Sequence, residues 1–408
     1  MKITCIAATD LTRDRRALAH VRVLAAAGHE VTLHGVLAPG TEPEEDLGPA
    51  VIVRSTVPAW VLADAPPSRG SHVVRWMRRY EKLAAAALAR GRPDALHVFG
   101  LDVAEPVLAA ARRLGVPCVV DDPGVCAAER HARVVAARAP GPRRSAALGV
   151  LHALTRRADA LRRRLVAAGA AAVVTSSPEL AADLIARCRV EDPVVVRDAF
   201  LRPGNGAPGR LHVRVGALPQ ELLVAYRGPG GPGSGVDAAV RALATLRGNV
   251  GLVLLGWSRV REEIERVAVA AGVEARVRFV PPVPEDELID LLGAADAAVL
   301  PAEPVDRVAR LGLPIEVLEC FAAGVPIAAS DLAATASLVR GTGAGVLWAA
   351  RDPSDPRAVA EALDTLLRDT SLAALCRERA RDAARGELDW RRESRGLVRI
   401  YERLADRF

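Results

Sequence analysis

One stretch of the chain combines a helix start, an acidic side chain and a turn in a spacing that suits nucleotide binding. Gly312–Ser330 begins with Leu313-Pro314, which closes a loop. Ile315–Ala323 is then predicted to be a helix, which Gly324 ends before a buried strand. The first turn of a helix offers backbone N–H groups and a partial positive charge, which suits a phosphate. Glu319 follows one turn later, where its carboxylate could accept hydrogen bonds from two ribose hydroxyls. The alternative is a helix that only packs on a sheet, with Glu319 solvated.

A glycine-rich segment between a predicted strand and a predicted helix has the pattern GxGxxG at Gly228, Gly230 and Gly233. Such a pattern occurs in dinucleotide-binding folds, so a dinucleotide-dependent oxidoreductase is one alternative. However, Pro229 and Pro232 remove N–H donors that a pyrophosphate would use. The next predicted strand also ends without the acid that these folds place on a ribose hydroxyl. The sequence therefore favours this alternative least.

Two acidic residues, Asp121 and Asp122, stand at the carboxyl end of a predicted buried strand, where parallel α/β folds bind their ligands. Both are predicted as catalytic residues, because either carboxylate could bind an acceptor or remove its proton. The alternative is a turn that caps the following helix. His97 lies within another buried strand pattern and is interpreted as a structural histidine.

The composition favours a cytoplasmic protein with small ligands. The 408 residues carry a formal net charge of +6, almost wholly from arginine, and 3% of them are aromatic. Because the arginine clusters lack interleaved aromatics, we expect no nucleic acid and at most weak contact with a membrane surface. We find no apolar run of transmembrane length and no signal peptide pattern. The six cysteines have no metal-ligand spacing, so no metal is expected. No pattern indicates an oligomeric state.

Apolar strands alternate with helical periodicity along the whole chain, which predicts an α/β protein with parallel sheets. The segment 203–209 is rich in proline and glycine and is predicted to be a linker. It would separate a first doubly wound domain over 1–202 from a second over 210–390. A final amphipathic helix over 391–408 is predicted to return to the first domain.

The order of the motifs resembles that of the retaining nucleotide-sugar glycosyltransferases of family 4. The stretch Gly312–Ser330 is similar to their Pro-x-x-x-x-Glu-x-x-Ala-x-Gly-x-Pro segment, and Thr9–Arg16 is similar to their opening strand and helix. The resemblance implies the GT-B architecture, in which two doubly wound Rossmann-like domains face each other across a cleft. It implies a nucleoside diphosphate sugar as donor substrate, a small-molecule or glycan acceptor, transfer with retention, and no cofactor.

The same resemblance places the donor in the second domain, with Glu319 on the ribose. The other residues that it assigns to the donor site are Arg227, Gly228, Gly230, Arg310, Pro314, Ile315 and Glu316.

The donor loops lack cations that relatives carry. Relatives usually have Arg or Lys near the positions of Pro229 or Ser234, and some have Lys at the position of Glu316. Stabilisation of the leaving group depends on such charge. We therefore predict that Arg227 or Arg310 takes over the role of the missing cation.

Two further arginines, Arg259 and Arg307, are less favoured candidates for the same role. If no arginine supplies the charge, the alternative is a catalytically degenerate glycosyltransferase-like protein. It would act as a binding or partner-activating subunit.

Overall fold

The computed structural model describes residues 1–12, 14–48, 50–55, 83–89, 91–124, 141–199, 204, 206–228, 230, 233–256, 261–349 and 354–407. The chain forms two compact units, of which the first comprises Met1–Val196 and Ser394–Phe408 and the second Arg197–Glu393. Three residues weighed above, Pro229, Pro232 and Arg259, lie outside the described residues. Positions 203 and 205 of the predicted linker lie outside them as well.

The first unit is built on one eight-stranded sheet. The strands are β1 Lys2–Ala7, β2 Glu30–Val36, β3 Glu44–Asp46, β4 Ala50–Ser55, β5 Ala95–Phe99, β6 Cys118–Asp121, β7 Ala170–Thr175 and β8 Val194–Val195. Within its described residues, the helices of the first unit before its last helix include α1 Arg15–Ala26, α2 Leu101–Leu114, α3 Gly141–Arg162 and α4 Pro178–Cys188.

The strands of this sheet lie in the order β3-β4-β2-β1-β5-β6-β7-β8. All pairs are parallel except β3 with β4, which confirms the predicted parallel α/β sheet. The central strands are apolar and buried because helices cover both faces of such a sheet. The antiparallel edge strand β3 was not predicted, since its residues Glu44–Asp46 are all acidic and exposed.

The second unit is built on a six-stranded parallel sheet. Its strands are β9 Leu222–Arg227, β10 Val250–Leu255, β11 Val277–Val280, β12 Ala297–Leu300, β13 Ile327–Ser330 and β14 Gly345–Trp348. Its helices are α5 Arg210–Val215, α6 Val236–Ala242, α7 Arg261–Ala271, α8 Glu285–Gly293, α9 Arg307–Leu311, α10 Ile315–Ala323, α11 Ala333–Thr342, α12 Pro356–Arg368, α13 Thr370–Arg385 and α14 Trp390–Glu393.

The strand order of the second sheet is β11-β10-β9-β12-β13-β14. The chain runs outward from β9 through β10 to β11, and then returns to β12 on the other side of β9. This reversal is a topological switch point, and open α/β sheets bind ligands outside the carboxyl ends of the strands at such a point. In the second unit, the loops after β9 and β12 therefore mark the position of a ligand.

One arginine fixes the helix that borders this position. The guanidinium of Arg377 donates to the carbonyl oxygens of Gly293 at 2.9 Å, Gly324 at 3.1 Å and Ala295 at 2.8 Å. These carbonyls belong to the carboxyl ends of α8 and α10, where the last C=O groups have no partner within the helix. Gly204, in the predicted linker, donates its N–H to Ala322 of α10 at 2.7 Å.

The last helix, α15 Arg395–Ala405, is part of the first unit. Its buried side chains recur every three or four residues, as expected for an amphipathic helix on a core. They are Leu397, Ile400, Tyr401 and Leu404. No helix in the part of the chain that the structure describes is both long and apolar enough to cross a bilayer.

Candidate functional site

The loop after β9 packs against the loop after β12. The N–H of Glu303 donates to the carbonyl oxygen of Gly233 over 2.9 Å. Gly235 has a φ of +66°, and a Cβ atom at this position would lie 1.6 Å from the carbonyl oxygen of Pro301. Only glycine fits such a backbone conformation and close approach. The glycines of this segment thus serve a contact between the two loops at the switch point.

Glu319 is held inside the second unit by α10. The helix begins directly after Pro314 and ends at Gly324, which has a φ of +64°, so the predicted bounds Ile315–Ala323 are confirmed. Every side chain from Val317 to Ala323 is buried, and Glu319 itself is 1% exposed. The alternative of a solvated Glu319 is therefore wrong. A carboxylate without water needs charged or hydrogen-bonding neighbours.

Arg227 is the cation that faces Glu319. Its Nε atom lies 3.2 Å from Oε2 of Glu319, and its side chain is 28% exposed. A Cβ atom at Gly256, just after β10, would lie 3.4 Å from Nη1 of Arg227. The guanidinium thus covers the ends of both β9 and β10. A dinucleotide site would place an acid for the ribose at the end of β10, whereas a cation lies there.

Glu316 lies in the first turn of α10, as its second residue, and is half-buried. Burial raises the pKa of its carboxyl group, while a hydrogen bond from its own backbone N–H and the charge of Arg227 lower the pKa. Pro314 precedes the helix and provides no side-chain cap. Pro314 and Ile315, also predicted to line the donor site, have no side chain that could cap the helix. Glu316 is the acidic residue of the first turn.

Ser234, at a position where the family resemblance implies a cation, forms a hydrogen bond with the Tyr226 side chain. Its Oγ also accepts from the N–H of Val236 at 3.4 Å. Gly228 is required next to this ring, because a Cβ atom there would lie 2.7 Å from the Tyr226 hydroxyl oxygen. Ser234 thus orders the loop and brings no charge. Gly230 is half-buried in the same loop.

The short helix α9 carries two arginines that differ in exposure. Asp306 caps it, because its Oδ1 accepts from the N–H groups of Val308 at 2.6 Å and Ala309 at 2.8 Å. Arg310, favoured by the sequence, is exposed. In contrast, the two terminal guanidinium nitrogens of Arg307 are buried. Of these two arginines, Arg307 therefore has its charged group buried in the protein, whereas Arg310 extends into solvent.

In the first unit, Asp121 is fully buried and bound by Arg16. Nε of Arg16 donates to Oδ2 of Asp121 at 2.8 Å, and Nη2 donates to Oδ1 at 3.0 Å. Nη1 of Arg16 donates to the carbonyl oxygen of Val196 at 2.8 Å. Bidentate pairs of this kind are strong and fixed in orientation. An acceptor would have to displace Arg16 in order to reach Asp121.

Asp122 is 1% exposed and bound by a second arginine. Nε of Arg162 donates to its Oδ2 at 2.7 Å, and the N–H of Gly124 donates to its Oδ1 at 2.9 Å. The Gly124 contact forms a turn at the strand end. The helix that this turn was predicted to cap would follow it directly, and residues 125–140 lie outside the described residues. The sequence analysis missed both Arg16 and Arg162. Arg16 lies in the stretch Thr9–Arg16, which resembles a family motif, and this position could have indicated that Arg16 has a role in the first unit.

Two histidines lie beside Asp121 in the core. His20 Nδ1 is 3.4 Å from Oδ2 of Asp121, and His97 Nδ1 is 2.8 Å from the Tyr401 hydroxyl oxygen. Burial, with help from the Arg16 charge, lowers the pKa of His97 to about 3 and that of His20 well below its usual value. Both rings are therefore neutral at neutral pH, and His97 is a structural histidine, as predicted.

His20, His97 and Asp121 each offer a ligand atom, and these atoms lie within 4.8 Å of one another. Such a group could hold a transition metal. However, the guanidinium of Arg16 already binds both oxygens of Asp121. The buried charge of the carboxylate is thus compensated by an arginine, and a divalent cation would meet that positive charge at close range.

Comparison with known families identifies both units. Residues 14–198 match the family "Glycosyl transferase 4-like domain", and residues 224–369 match "Glycosyl transferases group 1". The chain belongs to the family 4-like glycosyltransferases. Among similar proteins, the glycogen synthase of Mycobacterium tuberculosis is 28% identical over 400 residues, 93% of this chain and 87% of the relative.

A D-inositol 3-phosphate glycosyltransferase of Xylanimonas cellulosilytica is 30% identical over 256 residues, which are 59% of this chain and 59% of that protein. The enzyme of the same name from Acidothermus cellulolyticus is 31% identical over 54% of this chain, and 49% of its own length is matched. The chain thus spans 59% and 49% of the lengths of these two relatives.

Solved structures show the same fold. The sucrose-phosphate synthase of Thermosynechococcus elongatus superposes with a TM-score of 0.77 at 17% identity, over 100% of both chains. HepE of Anabaena, solved in complex with UDP-glucose, superposes with a TM-score of 0.66 at 16% identity, also over 100% of both chains. The chain therefore has the predicted GT-B fold.

Proposed function

We propose that the protein is a retaining glycosyltransferase that moves a sugar from a nucleoside diphosphate donor to a small-molecule or glycan acceptor. The observation that carries this proposal is the ion pair between Arg227 and Glu319 at the switch point of the second unit. It brings together a carboxylate that suits ribose hydroxyls and a guanidinium that suits a diphosphate. The names of the curated relatives, inositol phosphate glycosyltransferase and glycogen synthase, support the same reaction class.

Donor binding would engage the two charged groups together. Two ribose hydroxyls would donate to Glu319, and hydrogen bonds to a charged group contribute about 1.5–3 kcal/mol each. Arg227 is partly exposed, and its remaining N–H groups could meet phosphate oxygens in a bidentate manner. Because Arg227 is the counter-charge of Glu319, it would offset the energetic cost of burying this carboxylate when no donor is bound.

The chemical step needs no nucleophile from the protein. In the retaining mechanism that the family resemblance implies, the leaving diphosphate helps to deprotonate the acceptor on the same face of the sugar. The protein contributes orientation and charge at the diphosphate, which Arg227 would supply. The roles predicted for Asp121 and Asp122 would first require Arg16 or Arg162 to move.

A degenerate binding or partner-activating protein is the second candidate function. Two observations favour it: Ser234 is engaged with Tyr226, and Glu316 places a negative charge at the start of α10. Neither residue supplies the positive charge that a leaving diphosphate needs. The two candidates differ in turnover, since both could bind a nucleotide.

Calorimetric titration with UDP, GDP and their sugars tests the proposal. We expect saturable binding of one of the two nucleotide families by the native protein, and a loss of at least about tenfold in affinity for Glu319→Gln. Slow release of free nucleoside diphosphate from the bound sugar donor would then distinguish a transferase from a binding protein. If no nucleotide or nucleotide sugar binds at millimolar concentration, the proposal fails.

A further inference from the structure

The ion pair between Arg227 and Glu319 differs from the other buried ion pairs of the protein. Within the described residues, four further arginines pair with an acid whose side chain is at most 10% exposed, and each donates a hydrogen bond of 2.8 Å or less to that acid. In contrast, Nε of Arg227 approaches Oε2 of Glu319 to 3.2 Å without forming a hydrogen bond. Attraction between the charges, and not a directed hydrogen bond, therefore joins Arg227 to Glu319. The four other arginines are Arg16, Arg162, Arg197 and Arg278.

Arg227 also has the most exposed side chain of these five arginines, at 28% against 22% or less for the others. Its Nη1 atom lies beside Gly256, where a Cβ atom would be 3.4 Å away, so this residue adds no side chain that would enclose the guanidinium. A guanidinium that is partly exposed and lacks a directed hydrogen bond to its carboxylate turns away more readily than a bidentate one. Because the Glu319 side chain is 1% exposed, a ribose hydroxyl could reach it only after Arg227 has turned away.

We propose that Arg227 is an exchangeable counter-ion of Glu319. It pairs with the carboxylate in the empty site, and it moves to the diphosphate when the ribose of the donor takes its place. This inference rests on the proposed donor site and states how that site controls access to its own carboxylate. The other four arginines, held by short hydrogen bonds, remain with their acids.

The exchange couples the two halves of the donor. A nucleoside alone must separate Arg227 from Glu319 and offers the guanidinium no new counter-charge, which is costly near a buried carboxylate. A diphosphate supplies oxygens that suit a guanidinium. Binding of a diphosphate should therefore strengthen binding of a nucleoside, and by thermodynamic linkage the nucleoside strengthens binding of the diphosphate by the same factor.

Inorganic pyrophosphate can stand for the diphosphate half, so the coupling is measurable on the native protein. Uridine and guanosine are titrated by calorimetry with and without millimolar pyrophosphate, at an ionic strength matched with sodium chloride, and UDP and GDP are titrated in parallel. The same titrations on Arg227→Gln remove the exchanging guanidinium. Arg247→Gln is the matched control, because Arg247 is exposed and precedes β10, at the end of the strands opposite to the donor site.

We expect pyrophosphate to raise the affinity of the native protein and of Arg247→Gln for the preferred nucleoside at least about fivefold. Arg227→Gln should bind this nucleoside at least as tightly as the native protein does, with no effect of pyrophosphate. It should bind the diphosphate at least about tenfold less tightly. Nucleoside affinity of the native protein that stays unchanged or falls with pyrophosphate would overturn the inference. A folded Arg227→Gln that binds the nucleoside more weakly than the native protein would overturn it as well, and if this variant does not fold, the measurement on the native protein decides.

Failure of the proposed function has a different signature. If the native protein is folded by circular dichroism and binds neither UDP nor GDP nor either nucleoside, the donor site itself is absent and the inference falls with it. If UDP or GDP binds while pyrophosphate has no effect on the nucleoside, the donor site stands and only the exchange of Arg227 is excluded.

Discussion

Arg227 at the end of β9 and Glu319 in α10 form an ion pair of 3.2 Å in which the Glu319 side chain is 1% exposed and the Arg227 side chain 28% exposed. The inner partner depends on the outer one, because a buried charge without a counter-charge is costly. The outer partner keeps access to ligands. This asymmetry makes Arg227 the partner that a ligand would meet first, and a ribose hydroxyl would reach Glu319 only after Arg227 shifts.

We predict that Glu319→Ala weakens binding of the preferred nucleoside by at least about tenfold. Two charge-assisted hydrogen bonds would be lost, each worth about 1.5–3 kcal/mol. Calorimetry measures the affinity, and far-ultraviolet circular dichroism checks that the fold is kept. An unchanged nucleoside affinity in a folded variant would remove Glu319 from the donor site.

Arg227→Ala should lower kcat/KM for the donor by about thirty- to thousandfold. This corresponds to a loss of about 2–4 kcal/mol of transition-state stabilisation, as expected when one preorganised group that stabilises the charge of the leaving diphosphate is removed. Arg310→Ala is the matched comparison, because Arg310 is exposed on the short helix α9. We expect it to cost less than Arg227→Ala. If the Arg310 variant lost as much or more, the cation of the donor site would be Arg310 and not Arg227.

Local signals explain why the sequence predicted the donor helix. Pro314 and Gly324 bracket Ile315–Ala323 because proline precedes helices readily and glycine adopts the left-handed conformation that ends them. Such signals act within a few residues. The burial of Glu319 followed from the tertiary packing, which decides between a solvated and a buried carboxylate on the same helix.

Long-range pairs had no such signal. Arg162 and Asp122 are separated by 40 positions in the chain, and the run of arginines around Arg162 does not indicate which of its members is buried. Burial of one member of the run follows from the fold, since Asp122 is also buried. The contrast between Arg307 and Arg310 has the same origin. Arg307 and Arg310 are identical side chains three positions apart on the five-residue helix α9, and only their packing distinguishes them.

We predict that Arg162→Met destabilises the protein by about 3–5 kcal/mol, because it leaves the Asp122 carboxylate buried without its counter-charge. Asp122→Asn combined with Arg162→Met should recover part of this loss. The control is Arg157→Met, whose pair with Glu105 is half exposed on both sides and should cost less than about 1 kcal/mol. Urea denaturation measures all three.

A loss for Arg162→Met no larger than that for Arg157→Met would contradict the prediction. It would mean that the Asp122 carboxylate takes up a proton or reaches water at little cost. In that case Asp122 would again be a candidate for contact with an acceptor.

The last prediction concerns pH and the histidines of the first unit. The folded-state pKa of His97 is lowered to about 3, and that of His20 is lowered as well, by burial and by Arg16. Below about pH 6.5 the unfolded chain binds protons at these histidines and the folded chain does not. The free energy of unfolding should therefore fall as the pH decreases, by up to about 1.4 kcal/mol per pH unit for each histidine.

Hydrogen exchange in β5, Ala95–Phe99, measures this locally between pH 5 and pH 7, after correction for the intrinsic exchange rate. His97→Asn keeps an acceptor for the Tyr401 hydroxyl and removes one titrating ring, so its protection should depend less on pH than that of the native protein. The exposed His152 provides the control, and His152→Asn should keep the native pH dependence. If His97→Asn kept it too, His97 would bind its proton equally in the folded and unfolded chains, and at low pH its contact with Tyr401 would be made by a charged ring.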